Sequence, residues 1–249
     1  MSIKEDRSVA ELVVEIPYAT GVFEKLGIDY CCGGQRTLKE ACSSAGLTLE
    51  EVLSQLEDAK HAAPSTRATC RQDDWQRRPL SELIAHIVNK HHAFVRQQLP
   101  RLEELLRKVY SAHGERHPEL RRLQVVIRDL TLELTHHMLK EEEVLFPYIS
   151  LLEGAADRNE VLPKPFFGTV RNPVRMMTQE HDNAGQALRE IRATTGNYTV
   201  PPDGCATYRA LLDGLHAFEE DLHTHIHLEN NILFPRACRL EEEVLNSGA

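Results

Sequence analysis

No apolar run in the chain approaches the roughly 20 residues that a membrane-crossing helix needs. The opening Met1-Ser2-Ile3-Lys4-Glu5-Asp6-Arg7 is followed by neither the apolar stretch nor the small-residue cleavage site of a secretory leader. A cytoplasmic protein is the expectation. Positive charge is in deficit: 29 Lys and Arg stand against 38 Asp and Glu, for a net charge of −9. That removes the sequence-independent attraction to phosphate on which nucleic-acid binding relies, so neither nucleic acid nor membrane is an expected partner. Aromatic residues make up only 6%, with the single Trp75, and β-branched runs are scarce. Leu, Glu, Ala and Arg abound instead, which is the composition of a helical protein. The six cysteines, Cys31, Cys32, Cys42, Cys70, Cys205 and Cys238, are too few and too irregularly spaced for a disulfide framework.

What is present is a chain of 249 residues, 41% hydrophobic, long enough for one large domain or two modest ones. It also carries 13 histidines, an unusual number. Residues 1–58 read as short helices, begun by the capping boxes Ser8-Val9-Ala10-Glu11, Thr37-Leu38-Lys39-Glu40 and Thr48-Leu49-Glu50-Glu51 and interrupted by Pro17 and Gly33-Gly34. A module of that size has a marginal core and is expected to lean on a partner surface or a second copy. From Ala59 to Asp74 the apolar period disappears, which sets a linker over 59–76 and a second domain over 77–243.

That second domain holds four long segments with apolar steps of three and four. One stripe runs Ile84, Val88, His92, Val95, Leu99, Leu102 and Leu106; the next runs Leu120, Leu123, Ile127, Leu130, Leu134, His137, Glu141 and Leu145. The third runs Val174, Met177, His181, Ala184, Leu188 and Ile191, and the fourth Leu211, Leu215, Phe218, Leu222, His225, Glu229 and Leu233. Breaks at Ser111 to Pro118, around Gly154 to Asn172 and at Gly196 to Gly204 predict an all-α, up-and-down four-helix bundle. Asn172 before Pro173 reads as the N-cap of the third helix.

The second and fourth helices share one string. Leu134-x-x-His137-x-x-x-Glu141 through Leu145-Phe146-Pro147 recurs 88 residues later as Leu222-x-x-His225-x-x-x-Glu229 through Leu233-Phe234-Pro235, and His181 follows His92 by 89. Four residues along a helix rise about 6 Å and turn about 40°, so each His and Glu share a face, here the apolar one. A single His-x-x-x-Glu is usually a surface pair worth about 0.2–0.5 kcal/mol. Two in identical apolar contexts, each preceded by a seam histidine, put six ionisable groups inside a bundle. Burying one ion costs several kcal/mol, against a domain stability of only about 5–15 kcal/mol, and metal ions compensate that. Four imidazoles and two bridging carboxylates make four bonds per metal in a pair. Zinc could stop there; mixed imidazole and carboxylate ligands without thiolate favour non-haem iron, with positions left for an oxo bridge, O2 or nitric oxide. Periodicity leaves His91 as a rival to His92, since Ile84, Ile87 and Val95 also bring it near the seam. His86, His136, His216, His223 and His227 fall off the stripe or beside a ligand, His61, His113 and His117 fall in loops, and Met138, Met176 and Met177 read as core or rim.

With these residues the chain resembles the hemerythrin-like cation-binding family, and Asp29-Tyr30-Cys31-Cys32-Gly33-Gly34 is similar to the small module that precedes such a bundle in the RIC (repair of iron centres) family. The resemblance implies a hemerythrin-like bundle holding two Fe ions, with ligands at His92, His137, Glu141, His181, His225 and Glu229; Gln98-Leu99-Pro100 aligns and decides for His92. It implies a homodimer that repairs iron-sulfur clusters damaged by oxidative or nitrosative stress by supplying iron to damaged client proteins, and a reduced site that takes nitric oxide. The stretch from Glu153 to Asn172 is longer than the family's. Cys31 and Cys32 are candidates to pass iron or react with nitrosative species, with Arg36, Lys39 and the start of the Thr37 helix favouring thiolate; the plainer alternative is two small core residues beside a turn. A gas-binding protein that buffers or senses nitric oxide is the competing function. A di-iron oxidase ranks last, since no substrate pocket is legible and no turnover is implied.

Overall fold

The computed structural model describes residues 3–16, 18–62, 75–160 and 162–246; among them the ordered elements are helices, with one isolated antiparallel bridge between Ser8 and Thr37. The first part contains α1 (Val9–Glu15), α2 (Ala19–Leu26), α3 (Leu38–Ser44) and α4 (Leu49–Ala62). Ser8 and Thr37 form reciprocal capping boxes with Glu11 and Glu40, and Thr48 exchanges the same pair of bonds with Glu51. Gly34 is required where the turn after the cysteines closes, because a Cβ there would lie 2.5 Å from the Tyr30 carbonyl oxygen. Helix α4 runs on to Ala62, past the expected end of the module at residue 58. Most of the expected linker lies outside the described residues. Its last two members are held in place: Trp75 is buried and the exposed Gln76 donates from Nε2 to the Val14 carbonyl at 2.7 Å.

Four long helices follow. Helix α5 spans 80–113 and contains a π-helical turn, Ile87–His92; α6 spans 119–158 with a π-helical turn at Glu141–Leu145. Helix α7 is Arg171–Thr194, and α8 spans 206–246 with a π-helical turn at Glu229–Leu233. Helix α5 packs most closely on α8, and α6 on α7. The helix ends correct three expectations. Gly154 lies inside α6, which continues to Arg158 and ends on Asn159 in the left-handed conformation at φ 53°. His113 is the buried last residue of α5 and not part of a loop. Helix α7 starts at Arg171 with Val170 as its N-cap, while Asn172 turns back to donate to the Phe167 carbonyl at 2.8 Å.

Each π-helical turn inserts an extra residue and so shifts the buried stripe by one position. Before the turn in α5 the stripe is Leu80, Leu83, Ile87 and His91; after it, His92, Val95, Leu99 and Leu102. Ile84 and Val88 are therefore half-buried, off the stripe expected for them. The same jump occurs at Leu145-Phe146 in α6 and Leu233-Phe234 in α8, where consecutive residues are buried.

The 88-residue repeat reaches the helix starts. Pro79 offers α5 no side-chain cap; Glu153 near the end of α6 supplies it, accepting the Leu80 and Ser81 N–H groups at 2.5 and 2.9 Å. Its counterpart Glu241 near the end of α8 accepts the Val170 N–H and the Tyr148 hydroxyl, both at 2.8 Å, and the Thr169 hydroxyl. Each helix pair thus caps its own first member with a carboxylate from its second.

The small module does not stand alone. Val9, Leu12, Phe23, Leu38 and Leu56 belong to the same apolar cluster as Val95, Leu102, Leu134, Leu188 and Leu222 of the bundle. The surface it was expected to need is its own bundle. A second cluster, including Trp75, Leu80, Phe146, Ile149 and Phe234, fills the other end.

Candidate metal centre

Between the two apolar clusters lie six buried polar side chains. His92 comes from α5, His137 and Glu141 from α6, His181 from α7, His225 and Glu229 from α8, each at most 2% exposed. Their donor atoms form two groups, His92, Glu141, His225 and Glu229 on one side and His137, Glu141, His181 and Glu229 on the other. Both carboxylates belong to both groups. Glu141 turns one oxygen to His92 Nε2 at 3.4 Å and the other to His137 Nε2 at 3.3 Å. Glu229 turns its two oxygens to His225 and His181, both at 3.1 Å.

The outer nitrogens decide what the inner ones can do. His92 Nδ1 donates to Glu142 at 2.5 Å, His137 Nδ1 to Glu180 at 2.8 Å and His181 Nδ1 to the side-chain oxygen of Asn230 at 2.8 Å. A proton fixed on Nδ1 leaves Nε2 as a bare lone pair in the neutral ring. Yet His92 Nε2 faces His225 Nε2 at 3.2 Å, and His137 Nε2 faces His181 Nε2 at 3.0 Å. Neutral rings so arranged repel one another, and both oxygens of Glu141 and one of Glu229 have no hydrogen-bond partner. Ligands about 2.0–2.2 Å from one ion sit at such mutual distances. The residues fit cations, one in each group with the carboxylates between them. Without them, burial and Glu229 push the Glu141 carboxyl up, but the surrounding imidazoles outweigh both and leave it below its ordinary range. Burial likewise opposes protonation of His137, yet Glu141 and Glu180 draw it up to about 10.

Both rival histidines of α5 are buried, because the π-helical turn puts one on the stripe before it and one on the stripe after it. His92 meets the carboxylates. His91 turns its Nδ1 to Asp221 at 3.0 Å and stacks on the His225 ring, with centroids 5.7 Å apart. No role was expected for Glu142, Glu180 or Asn230. The repeat held a signal for two of them, since Glu142 and Asn230 occupy equivalent positions after the shared carboxylates. His223 and His227 face the small module: His223 pairs with Glu24 at 3.0 Å, and the Tyr30 and His227 rings meet edge to face with centroids 5.6 Å apart.

The cysteine turn reaches the back of the centre. Asp29 accepts the N–H groups of Cys31, Cys32 and Gly33 on one carboxylate oxygen, at 3.2, 2.9 and 2.9 Å. The Cys32 thiol donates to the His181 carbonyl at 3.3 Å. Asn230 donates to the Cys31 carbonyl at 3.2 Å while accepting from His181, so one amide joins the turn to a ligand. Asp29, Cys31 and Cys32 form a small donor group of their own. Cys32 opens on a cleft of about 670 Å3 that Arg36, Asp182 and Arg189 also line. The expectation of thiolate fails at Cys31: its hydrogen bond with Cys32 and its burial push the thiol up. Lys39 is engaged with Glu5 at 3.4 Å.

Residues 83–237 match the hemerythrin HHE cation-binding domain, and residues 5–60 match a domain described as of unknown function. Proteins named iron-sulfur cluster repair protein YtfE are similar over nearly the whole length. The Cronobacter sakazakii protein is 39% identical over 237 residues, covering 95% of this chain and 98% of its own. That of Yersinia pseudotuberculosis is 38% identical over 239 residues and that of Pectobacterium atrosepticum 39% over 237, with the same coverage. The match to the cation-binding domain and the donor geometry agree on a centre that binds cations.

Proposed function

The chain belongs to the family of iron-sulfur cluster repair proteins built on a hemerythrin HHE cation-binding domain, and from that membership we propose that it repairs iron-sulfur clusters damaged by oxidative or nitrosative stress, supplying iron from a di-iron centre in its bundle. The observation that carries the reading is the pair of four-donor groups sharing Glu141 and Glu229, with the cysteine turn joined to one of them through Asn230. Iron suits a donor set of imidazole and carboxylate without thiolate. Bound there, a di-iron pair supplies redox chemistry and open positions for a small ligand such as nitric oxide or O2.

The chain's own groups do the rest. Glu142, Glu180 and Asn230 hold three imidazoles in the tautomer that presents Nε2 inward. The apolar clusters on either side keep water from the shared carboxylates. Four neutral imidazoles and two carboxylates leave two Fe(II) cargo ions short of neutralisation by two charges, so the centre holds iron less firmly than a carboxylate-rich one. Cys31 Sγ keeps its proton at rest, and the Asp29, Cys31 and Cys32 group beside the cleft is the hand-off point for iron leaving towards a damaged client protein.

A cytoplasmic setting, where the thiols stay reduced, and a homodimer complete the proposal. No helix among the described residues is long and apolar enough to cross a membrane. The test is reactivation of an iron-sulfur dehydratase inactivated by nitric oxide, with iron content measured in parallel. Wild type is expected to hold two irons per chain and restore activity; His137→Ala is expected to lose both properties, and Cys31→Ala/Cys32→Ala to keep iron but restore less. Wild type no better than buffer removes the repair reading, and nitric oxide binding without reactivation makes this a gas-binding protein.

A further inference from the structure

At the opposite end of the bundle, where the connection between α5 and α6 meets the one between α7 and α8, a second set of donors converges. One nitrogen each of His113 and His117 and a carboxylate oxygen of Asp203 lie within 4.8 Å of one another. These residues come from different helix pairs. His113 is 21 residues beyond His92 on the same helix, about 30 Å at a helical rise of about 1.5 Å per residue, so the set is separate from the centre described above.

Several features show that the set is arranged. His113 is 94% buried, and its Nδ1 has no hydrogen-bond partner. Tyr208 is itself buried and packs against both imidazoles, with ring centroids 5.5 Å from His113 and 5.6 Å from His117. Glu119 takes the Nδ1 side of His117 at 2.9 Å, while Nε2 faces Asp203 Oδ1 at 2.9 Å. Nε2–H pairs with Asp203 as the set stands, and Glu119 on Nδ1 fixes the tautomer in which a cation can take the place of that proton. Arg116 holds the other oxygen of Asp203 at 2.8 Å and fixes its direction. Cys205, the exposed N-cap of α8 two residues beyond Asp203, adds a thiol.

We propose that this end of the bundle carries a separate site for one divalent transition-metal ion of the zinc class, held by His113, His117 and Asp203 and closed by Cys205. Two imidazoles, a carboxylate and a thiolate are a borderline donor set; calcium and magnesium, which take oxygen, do not suit it. Coordination releases the Cys205 proton to solvent and ties the first helix pair to the second. Without it, the His117 and Arg116 pairs with Asp203 join the two connections across a surface where ion pairs contribute little.

The test uses the full chain with its main centre already loaded. Zinc is titrated against a chromophoric chelator with wild type, His117→Asn/Asp203→Asn and Cys205→Ser; the buried His113 is left alone to preserve the fold. Wild type is expected to take up one equivalent more than the His117→Asn/Asp203→Asn variant, with the metal content of the main centre equal in both. Cobalt is expected to give wild type a thiolate charge-transfer band that Cys205→Ser lacks, and zinc is expected to slow alkylation of Cys205 in wild type alone. Equal zinc uptake by wild type and the double variant, with no zinc protection of Cys205, overturns the site and leaves a cluster of ion pairs.

Discussion

Gly185 sits inside α7, where glycine costs about 1 kcal/mol relative to alanine, and the docked cysteine turn accounts for it. A Cβ added there would meet Cys32 Sγ at 2.9 Å, Arg189 Nη1 at 3.5 Å and Cys32 Cβ at 3.6 Å. Only the first is too close. The sulfur turns on a single rotor, and any turn away from Gly185 gives up its bond to the His181 carbonyl. Gly185→Ala in wild type therefore sets a helix gain of about 1 kcal/mol against an overpacking cost of about 1–3 kcal/mol, for a net change between about 0 and −2 kcal/mol. In a Cys32→Ala background the offending atom is gone, the remaining contacts are ordinary, and the same substitution should stabilise by about 1 kcal/mol. Urea unfolding of the four proteins of this cycle, all with metal bound, should give a coupling of about 1–3 kcal/mol, far above the roughly 0.5 kcal/mol scatter of independent sites. Alkylation of Cys32 should speed up in Gly185→Ala while metal content holds. Additive free energies with an unchanged alkylation rate would refute the docking described here.

Asn230→Glu keeps an acceptor for His181 but loses the donor to the Cys31 carbonyl, at a cost of about 1–3 kcal/mol for the group left unpaired; metal content should be retained while Cys31 becomes open to alkylation, and loss of metal with Cys31 still protected would contradict it. Glu241→Ala strands the Val170 N–H and the Tyr148 and Thr169 hydroxyls and should destabilise by about 2–4 kcal/mol, whereas half-buried Glu153→Ala should lose about 1 kcal/mol in denaturant melts. Burial raises the Glu153 carboxyl, but the Ser81 and Leu80 donors prevail and lower it; its contribution is then present above the ordinary carboxylate range and lost as pH falls, so acid should erode wild type more than Glu153→Gln. In the metal-free protein His137 is drawn from 6.5 up to about 10, so the stability from its charged form is whole below about 6.5 and fades as pH rises through about 10. Metal must displace that proton, and chelator competition should show affinity rising up to tenfold per pH unit across the same window; a flat profile would count against this assignment.

The bundle was legible because its information is local and doubled. Steps of three and four gave the faces, and the repeat separated His137, Glu141, His225 and Glu229 from the surface pairs they resemble singly. Phase was harder to see. An ideal helix assumes one stripe, whereas α5, α6 and α8 each change stripe at a π-helical turn beside the centre, so His91 stood as a rival to the favoured His92 on periodicity and both proved buried. The start of α7 was misplaced because its cap comes from elsewhere: Glu241 lies 71 residues from the Val170 N–H that it serves. The docking of the cysteine turn was illegible for the same reason, since Arg189, His223, Asn230 and Asn231 meet it through contacts that no local pattern encodes.

The repeat also shows why the module covers only one edge of a nearly symmetric centre. In the first half, Glu142 holds His92 and is itself held by Arg96 at 2.6 Å, an ion pair lying over that edge. At the equivalent positions the second half has Asn230 and Gly185, removing the acid, the base and the bulk together. What remains is a gap the size of a thiol and an amide with hydrogens to spare. Cys32 enters the gap and the Cys31 carbonyl takes an amide hydrogen; Asn231, where the first half has Glu143, donates to the Tyr30 carbonyl at 3.1 Å. An acidic pair at 230 and 231 would repel those two carbonyls, and an arginine at 185 would fill the space that Cys32 occupies. The ligands themselves keep the repeat unbroken, so the asymmetry lies in the residues behind them and determines which imidazole pair has thiols at its back.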